Sequence, residues 1–158
     1  MFSHTTEYAL RAVVSLGYQP GVPMKTSQIA EMTKVPSNYL SKVLQVLVKA
    51  KVLASRRGIK GGFTLIKQPN TLTLLEVISA TEPLRRITAC PLGLPGHRTD
   101  LCALHKRLDS TIALIEHEYQ TTTVADLLDG SASSRPLCGS GQSDLTSLNS
   151  RPAWGGIV

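Results

Sequence analysis

Residues 25–65 limit the architecture more than any other part of the chain, because two helical patterns flank a proline and a glycine-rich strand pair follows. Thr26-Ser27-Gln28 offers hydroxyls to cap a helix whose buried positions are Ile29, Ala30 and Met32. Thr33-Lys34-Val35-Pro36 interrupts it, since Pro36 cannot continue the helix and biases Val35 away from helical angles. Ser37 then caps a second helix over 38–50, in which Leu40, Val43, Leu44, Leu47 and Val48 recur at three- and four-residue spacing. Asn38, Tyr39, Ser41, Lys42, Gln45 and Lys49 fall on its remaining surface. Val52-Leu53-Ala54-Ser55 and Phe63-Thr64-Leu65-Ile66 read as strands, joined by the flexible basic tip Arg56-Arg57-Gly58-Ile59-Lys60-Gly61-Gly62. Helix, turn, helix and basic hairpin make a winged helix. Its second helix fits a major groove of DNA while the wing reaches the neighbouring backbone or minor groove.

The distribution of charge agrees. No acidic residue occurs between Glu31 and Glu76, an interval that holds eight lysines and arginines. Residues 1–82 carry ten basic and four acidic side chains, whereas residues 83–158 carry seven of each. The whole excess of +6 therefore lies in the half with the helix-turn-helix pattern, where a phosphate-binding surface needs it.

Around this unit, Thr5 or Thr6 starts a first helix to about Leu16, with Ala9, Leu10, Val13, Val14 and Gly17 on its buried face. Glu7 stands in its first turn, where the helix dipole favours a carboxylate. Thr71 or Thr73 caps a helix through Leu74, Leu75, Val77 and Ile78 that closes the back of the core. Prolines and glycines over 83–99 predict a loop. Thr99 or Asp100 caps a long helix to about Gln120, striped by Leu101, Leu104, Leu108, Ile112 and Ile115. No second long helix exists to cover that stripe, so a homodimer through it is expected. Thr123-Val124-Ala125-Asp126 opens a short helix stopped by Gly130. The Ser-, Gly- and Pro-rich residues 131–158, with Cys138 and Trp154, read as a disordered tail outside any site.

Three cysteines, an odd number, argue against a secreted disulfide framework. No run of eighteen apolar residues and no signal-peptide pattern occurs, so a cytoplasmic protein with no membrane partner is expected. Cys90 lies in the Pro/Gly loop, His97 beyond it, and Cys102 in the first turn of the long helix. His105 follows Cys102 by three residues, so the two side chains share a helix face. A helix N-terminus lowers a thiol's pKa and favours metal ligation or oxidation. By spacing alone this set is open to an iron–sulfur cluster, a zinc ion or two inert thiols. Cys102 with His105 could also form a nucleophile–base pair, but no oxyanion hole or orienting third group accompanies them, so no enzyme is expected.

Several motifs carry a resemblance: Thr6-Glu7-Tyr8-Ala9-Leu10-Arg11, Ile29-Ala30, Pro36-Ser37-Asn38-Tyr39-Leu40, Val52-Leu53-Ala54-Ser55, Arg57-Gly58, Gly61-Gly62-Phe63 and Thr73-Leu74-Leu75-Glu76-Val77. From residue 1 to about 130 the chain resembles the winged-helix repressor family that includes the iron–sulfur-cluster regulator IscR and the nitric-oxide sensor NsrR. In that family three cysteines at six-residue intervals and a histidine three later precede the dimerisation helix. Cys90, Cys102 and His105 fall on the first, third and histidine places. Gly96 takes the middle one, with His97 beside it, which rules out a three-cysteine site. Family members also recruit an acidic residue near the start of the first helix, across the dimer, and Glu7 stands there.

The resemblance thus implies a homodimeric repressor on a palindromic operator in double-stranded DNA, sensing redox state or nitric oxide through a cluster, [2Fe–2S] in type. Its ligands would be Cys90, Cys102, Glu7 and a histidine, His105 or His97. The alternative is a cluster-free regulator with a Cys90/Cys102 thiol or zinc switch. Ser37, Asn38, Tyr39, Ser41 and Lys42 would meet bases or phosphates, and Arg56, Arg57 and Lys60 would serve the wing. The expected fold is mainly α, a winged helix-turn-helix over 1–82, a sensor loop over 83–99, a dimerisation helix and short helix over 100–130, and the tail.

Overall fold

The hydrophobic spacing places helices where it should, and the first of them becomes the hub. In the computed structural model, which describes residues 2–91, 93, 100–130 and 134–137, helix α1 spans His4–Gly17. Ser3 caps it, its hydroxyl accepting from the Thr6 amide. Residues 12–17 of α1 are buried all round, because α2, α3, α4 and α6 all pack against this one helix. Gly17 is part of the fit. A Cβ there would stand 3.1 Å from both Val124 and Leu128 of the last helix.

Helix α2, Thr26–Thr33, begins one residue earlier than its hydroxyls suggested. Lys25 is the cap position, and its amide donates to the Gln28 side chain at 2.8 Å. Lys34, in the left-handed region (φ 56°), ends the helix and Val35 plugs the turn into the core. Helix α3, Ser37–Lys49, is capped by Pro36 rather than by Ser37. The proline's fixed φ presents its carbonyl to the amides of Tyr39 and Leu40, which leaves Ser37 as the first helical residue. Leu40, Val43, Leu44 and Leu47 are then fully buried, as the spacing requires.

Strands β1, Leu53–Arg56, and β2, Gly62–Leu65, pair antiparallel with Leu53 opposite Leu65 and Arg56 opposite Gly62. The ladder is shifted by one residue from the sequence reading, so Arg56 belongs to a strand and the tip is 57–61. The backbone explains the shift. Met24 and Phe63 exchange two hydrogen bonds, 3.0 and 2.9 Å, which adds a third short pairing and pulls Gly62 into the sheet. A Cβ on Gly62 would lie 2.6 Å from the Met24 carbonyl, and one on Gly61 2.2 Å from the Arg56 carbonyl, so both positions demand glycine.

Helix α4, Leu74–Thr81, has the predicted Thr73 cap with Glu76 reaching back to the Thr73 amide. Burial alone would raise the Glu76 carboxyl, but hydrogen bonds from Lys67 and Thr73 outweigh it and hold the group below its ordinary value. The long helix α5, Ala103–Thr121, starts later than expected, with Cys102 and not Asp100 at its cap position; Thr99 lies outside the described residues. Helix α6, Val124–Leu128, opens with the predicted Thr123–Asp126 capping box and ends at Asp129. Paired backbone bonds between 72–74 and 122–124 fasten the end of α5 to the start of α4. Among the described residues no helix is long and apolar enough to cross a membrane. Of the region read as a tail, only 134–137 is described, and Cys138 and Trp154 lie outside it.

Candidate nucleic-acid interface and thiol–imidazole cluster

The residues singled out on α3 lie along its first two turns. Ser37, Asn38, Tyr39 and Lys42 are exposed and Ser41 is half-buried. Three of these side chains make hydrogen bonds. Asn38 Oδ1 accepts from the Tyr39 amide at 3.0 Å, and Ser41 Oγ donates to the Ser37 carbonyl at 2.8 Å. The Tyr39 hydroxyl lies 2.9 Å from Thr5 Oγ1, and its ring meets Tyr8 edge-on at 5.5 Å. The start of α3 is therefore braced on α1.

Arg56, Arg57 and Lys60 are exposed on the wing. Between the wing and the second half of α3 runs a concavity of about 420 Å³, lined in part by Gln45, Lys49, Arg56, Arg57 and Phe63. Gln45 and Lys49 fall on the polar surface of α3 in the sequence pattern but are not among the residues expected to meet DNA. The signal was present, since 41, 45 and 49 follow one another at four-residue spacing and prolong the polar stripe of α3 to the wing.

The second assembly lies further along the chain, between residues 90 and 105. Cys90, Cys102 and His105 come together with one donor atom each inside a 4.8 Å span. His105 Nδ1 stands 3.1 Å from Cys102 Sγ and 3.6 Å from Cys90 Sγ. Helix geometry places two of the three. Cys102 caps α5 and His105 is the third helical residue, the pair of positions that face each other in a capping box. Cys90 arrives from residues 83–91, which belong to no helix or strand, and is buried. This segment is tied to α5 through Asp109. The carboxylate accepts from Arg86 Nε (2.7 Å), Arg86 Nη2 (2.6 Å) and the Ile87 amide (2.9 Å). These bonds hold Asp109 at about 2, well under its ordinary 3.8.

Glu7 is not part of this cluster within the chain. Its carboxylate is paired with Arg11 one turn on and lies 3.8 Å from His4 Nδ1. Arg11 also donates to the Thr33 carbonyl, in the turn of the helix-turn-helix. His97, named as a possible nitrogen ligand, lies outside the described residues, as does Gly96. Among the described residues the apolar stripe of α5 is covered only in part. Leu104, Leu108 and Ile115 are exposed, Leu101 and Ile112 are half-buried, and none of the helix is buried.

A braced reading helix, a basic wing and a long helix appended behind them define a winged-helix transcriptional regulator. The chain belongs to the Rrf2 family, whose model, described as an iron-dependent transcriptional regulator, matches residues 2–130. A protein of Aquifex aeolicus (strain VF5), described as an HTH-type transcriptional regulator, is 29% identical over 133 residues, 82% of this chain and 92% of that one. The fold is similar to that of CymR, the global cysteine regulator of B. subtilis (TM-score 0.68, 22% identity, 80% of this chain and 95% of that one). It is equally similar to T. potens IscR (TM-score 0.67, 24% identity, 81% and 85%). These relatives are regulators, which agrees with reading the chain as other than an enzyme.

Proposed function

We propose that the protein is a cytoplasmic, homodimeric repressor that binds a palindromic operator and responds to redox state or nitric oxide through a [2Fe–2S] cluster. The DNA half of this reading rests on charge. The entire net charge of +6 belongs to residues 1–82, and Lys42, Lys49, Arg56, Arg57 and Lys60 are exposed along α3 and the wing. Lys42 and the polar stripe of α3 would meet bases and phosphates, with Ser37, Asn38, Tyr39 and Ser41 around it. Arg56, Arg57 and Lys60 would hold the flanking backbone. The exposed stripe of α5 supports pairing with a second copy, which sets two reading helices at the spacing of two half-sites.

The sensor half rests on one observation, the convergence of two thiols and an imidazole at the start of α5. Thiolate and imidazole donors suit iron–sulfur chemistry, and non-cysteine ligation raises a cluster's potential. Cys90, Cys102 and His105 would bind it, with Glu7 supplied across the dimer and His97 as the other nitrogen candidate. A bound cluster would give the site one-electron redox chemistry and reactivity toward nitric oxide. The protein's part is to convert changes at Cys90, Cys102 and His105 into movement of α5, and so of the two reading helices.

A second reading is favoured by the same distances. The N···S separations of 3.1 and 3.6 Å bracket the edge of about 3.5 Å that one tetrahedral zinc with sulfur and nitrogen ligands imposes. A zinc or thiol switch in a cluster-free regulator would fit it. Iron, sulfide and zinc content of anaerobically purified protein, with its visible spectrum, separates the two. A brown protein with about two irons and two sulfides per site, bleached by Cys90→Ala or Cys102→Ala, supports the cluster. A colourless protein that stays so after reconstitution removes it, and bound zinc then carries the alternative.

A further inference from the structure

Cys90 is the one donor of the cluster that no helix positions. Cys102 and His105 are held by the first turn of α5, but Cys90 sits in residues 83–91, outside any helix or strand. Something else must bring it within 3.6 Å of the imidazole. One tie lies three residues upstream, where the Ile87 amide and both edge nitrogens of Arg86 converge on the Asp109 carboxylate. A fork-on-fork arginine–carboxylate pair fixes orientation as well as distance, and the added backbone donor fixes the chain itself.

The spacing on both sides matches. Asp109 lies four residues, one turn, beyond His105, so the two side chains stand on the same face about 6 Å apart along the axis. Three residues from Ile87 to Cys90 span up to about 10 Å. The segment runs from Asp109 back toward the start of α5 and delivers Cys90 over His105. The Gly93 amide then bonds the Cys90 carbonyl at 3.1 Å, turning the chain directly after the thiol. Glu116 Oε2, a further seven residues along α5, lies 3.6 Å from Arg86 Nη1 and supports the guanidinium from the other side.

We infer that Arg86 and Asp109 are a positioning pair, a clasp that holds Cys90 in register with Cys102 and His105 and makes the thiol–imidazole site move with α5. The inference deepens the sensor reading and rests on it for its biological purpose. The geometric part stands without any bound group, since it concerns how often the two sulfurs meet.

That frequency can be measured on the full chain carrying Cys138→Ser, so that only Cys90 and Cys102 report. Thiol–disulfide exchange with oxidised glutathione closes an intrachain Cys90–Cys102 disulfide and releases two reduced glutathiones. Its equilibrium gives the effective concentration of one thiol at the other. Asp109→Asn and Arg86→Gln should each lower it by about ten-fold through lost preorganisation. Arg86→Lys, which keeps charge but not the fork, should fall part of the way. Glu116→Gln should stay within about two-fold of the parent, because the main pair survives. Helical ellipticity of each variant serves as the folding control. Should Asp109→Asn lose helix, Arg86→Lys decides. A folded Asp109→Asn or Arg86→Lys protein with the parent's effective concentration overturns the clasp. A cobalt(II) titration of the reduced parent answers the separate question. Thiolate-to-metal absorption supports a site able to hold a metal, and its absence counts against the sensor reading while the thiol equilibrium still judges the clasp.

Discussion

Helices α3 and α5 carry the same kind of apolar stripe and meet opposite fates. Leu40, Leu44 and Leu47 of α3 are fully buried, because α1 and α4 lie across them. On α5, Leu104 keeps 64% and Leu108 46% of its surface exposed, and no residue of the helix is buried. Periodicity thus announces a face that must be covered without saying by what. Inside the winged helix the cover is in the same chain. On α5 the described residues cover it only in part, and an exposed aliphatic stripe along a nineteen-residue helix is the kind of face that a partner can cover.

The largest test of this contrast is a matched pair of truncations. Leu44→Ala should destabilise the fold by about 2–5 kcal/mol, since a fully enclosed side chain leaves a cavity. Leu108→Ala should cost the folded protomer little, yet weaken its self-association. Denaturant unfolding at several protein concentrations reads both. A large, concentration-independent loss for Leu108→Ala would mean that the stripe packs within its own chain. Leu108→Glu goes further, placing charges against each other across the proposed interface. Sedimentation should then find a monomer whose affinity for a two-half-site duplex has collapsed.

The reading surface gives the next effect in size. Lys42→Ala and Arg57→Ala should each weaken binding to a mixed-sequence duplex and flatten the salt dependence by about one unit of slope per lost phosphate contact. Lys106→Ala, an exposed cation on α5, should do neither. Equal losses from all three would show that net charge alone, rather than α3 and the wing, makes the interface.

The same contrast separates what the sequence disclosed from what it withheld. The helix-turn-helix was legible because its determinants are local. Pro36 breaks one helix, the 40–47 spacing builds the next, and Gly61 and Gly62 allow the close backbone approaches of the wing. Errors there were of one residue, where a backbone contact such as Met24–Phe63 outweighed side-chain preference. Cys90, Cys102 and His105 were also named from the sequence, because two of them share a helix face. The start of α5 is not legible from hydroxyl or carboxylate caps, because Cys102 takes the cap position facing His105. Arg86 and Asp109 went unnoticed because nothing local marks a pair 23 residues apart.

That pair also supplies the smallest and sharpest of the expected effects. Asp109 is held at about 2 by Arg86 and the Ile87 amide, against an ordinary 3.8. Its folded pKa is depressed, so the stabilisation it brings is present above about 4 and is lost as the pH falls through about 2. Glu76, braced by Lys67 and Thr73 in the winged helix, is also lowered and weakens in the same direction. The two can be told apart by following their side-chain carboxyl carbons by NMR during acid titration. Arg86→Gln should bring the Asp109 midpoint up toward 3.8 without reaching it, because the Ile87 amide still donates, and should leave Glu76 where it was. An Asp109 midpoint that ignores the substitution would mean that Arg86 does not hold the carboxylate in solution. Residues 83–91 would then need another anchor on α5. A shift of both midpoints together would mean that the two carboxylates titrate as one unit, and the contrast between a self-contained winged helix and a clasped sensor segment would fail.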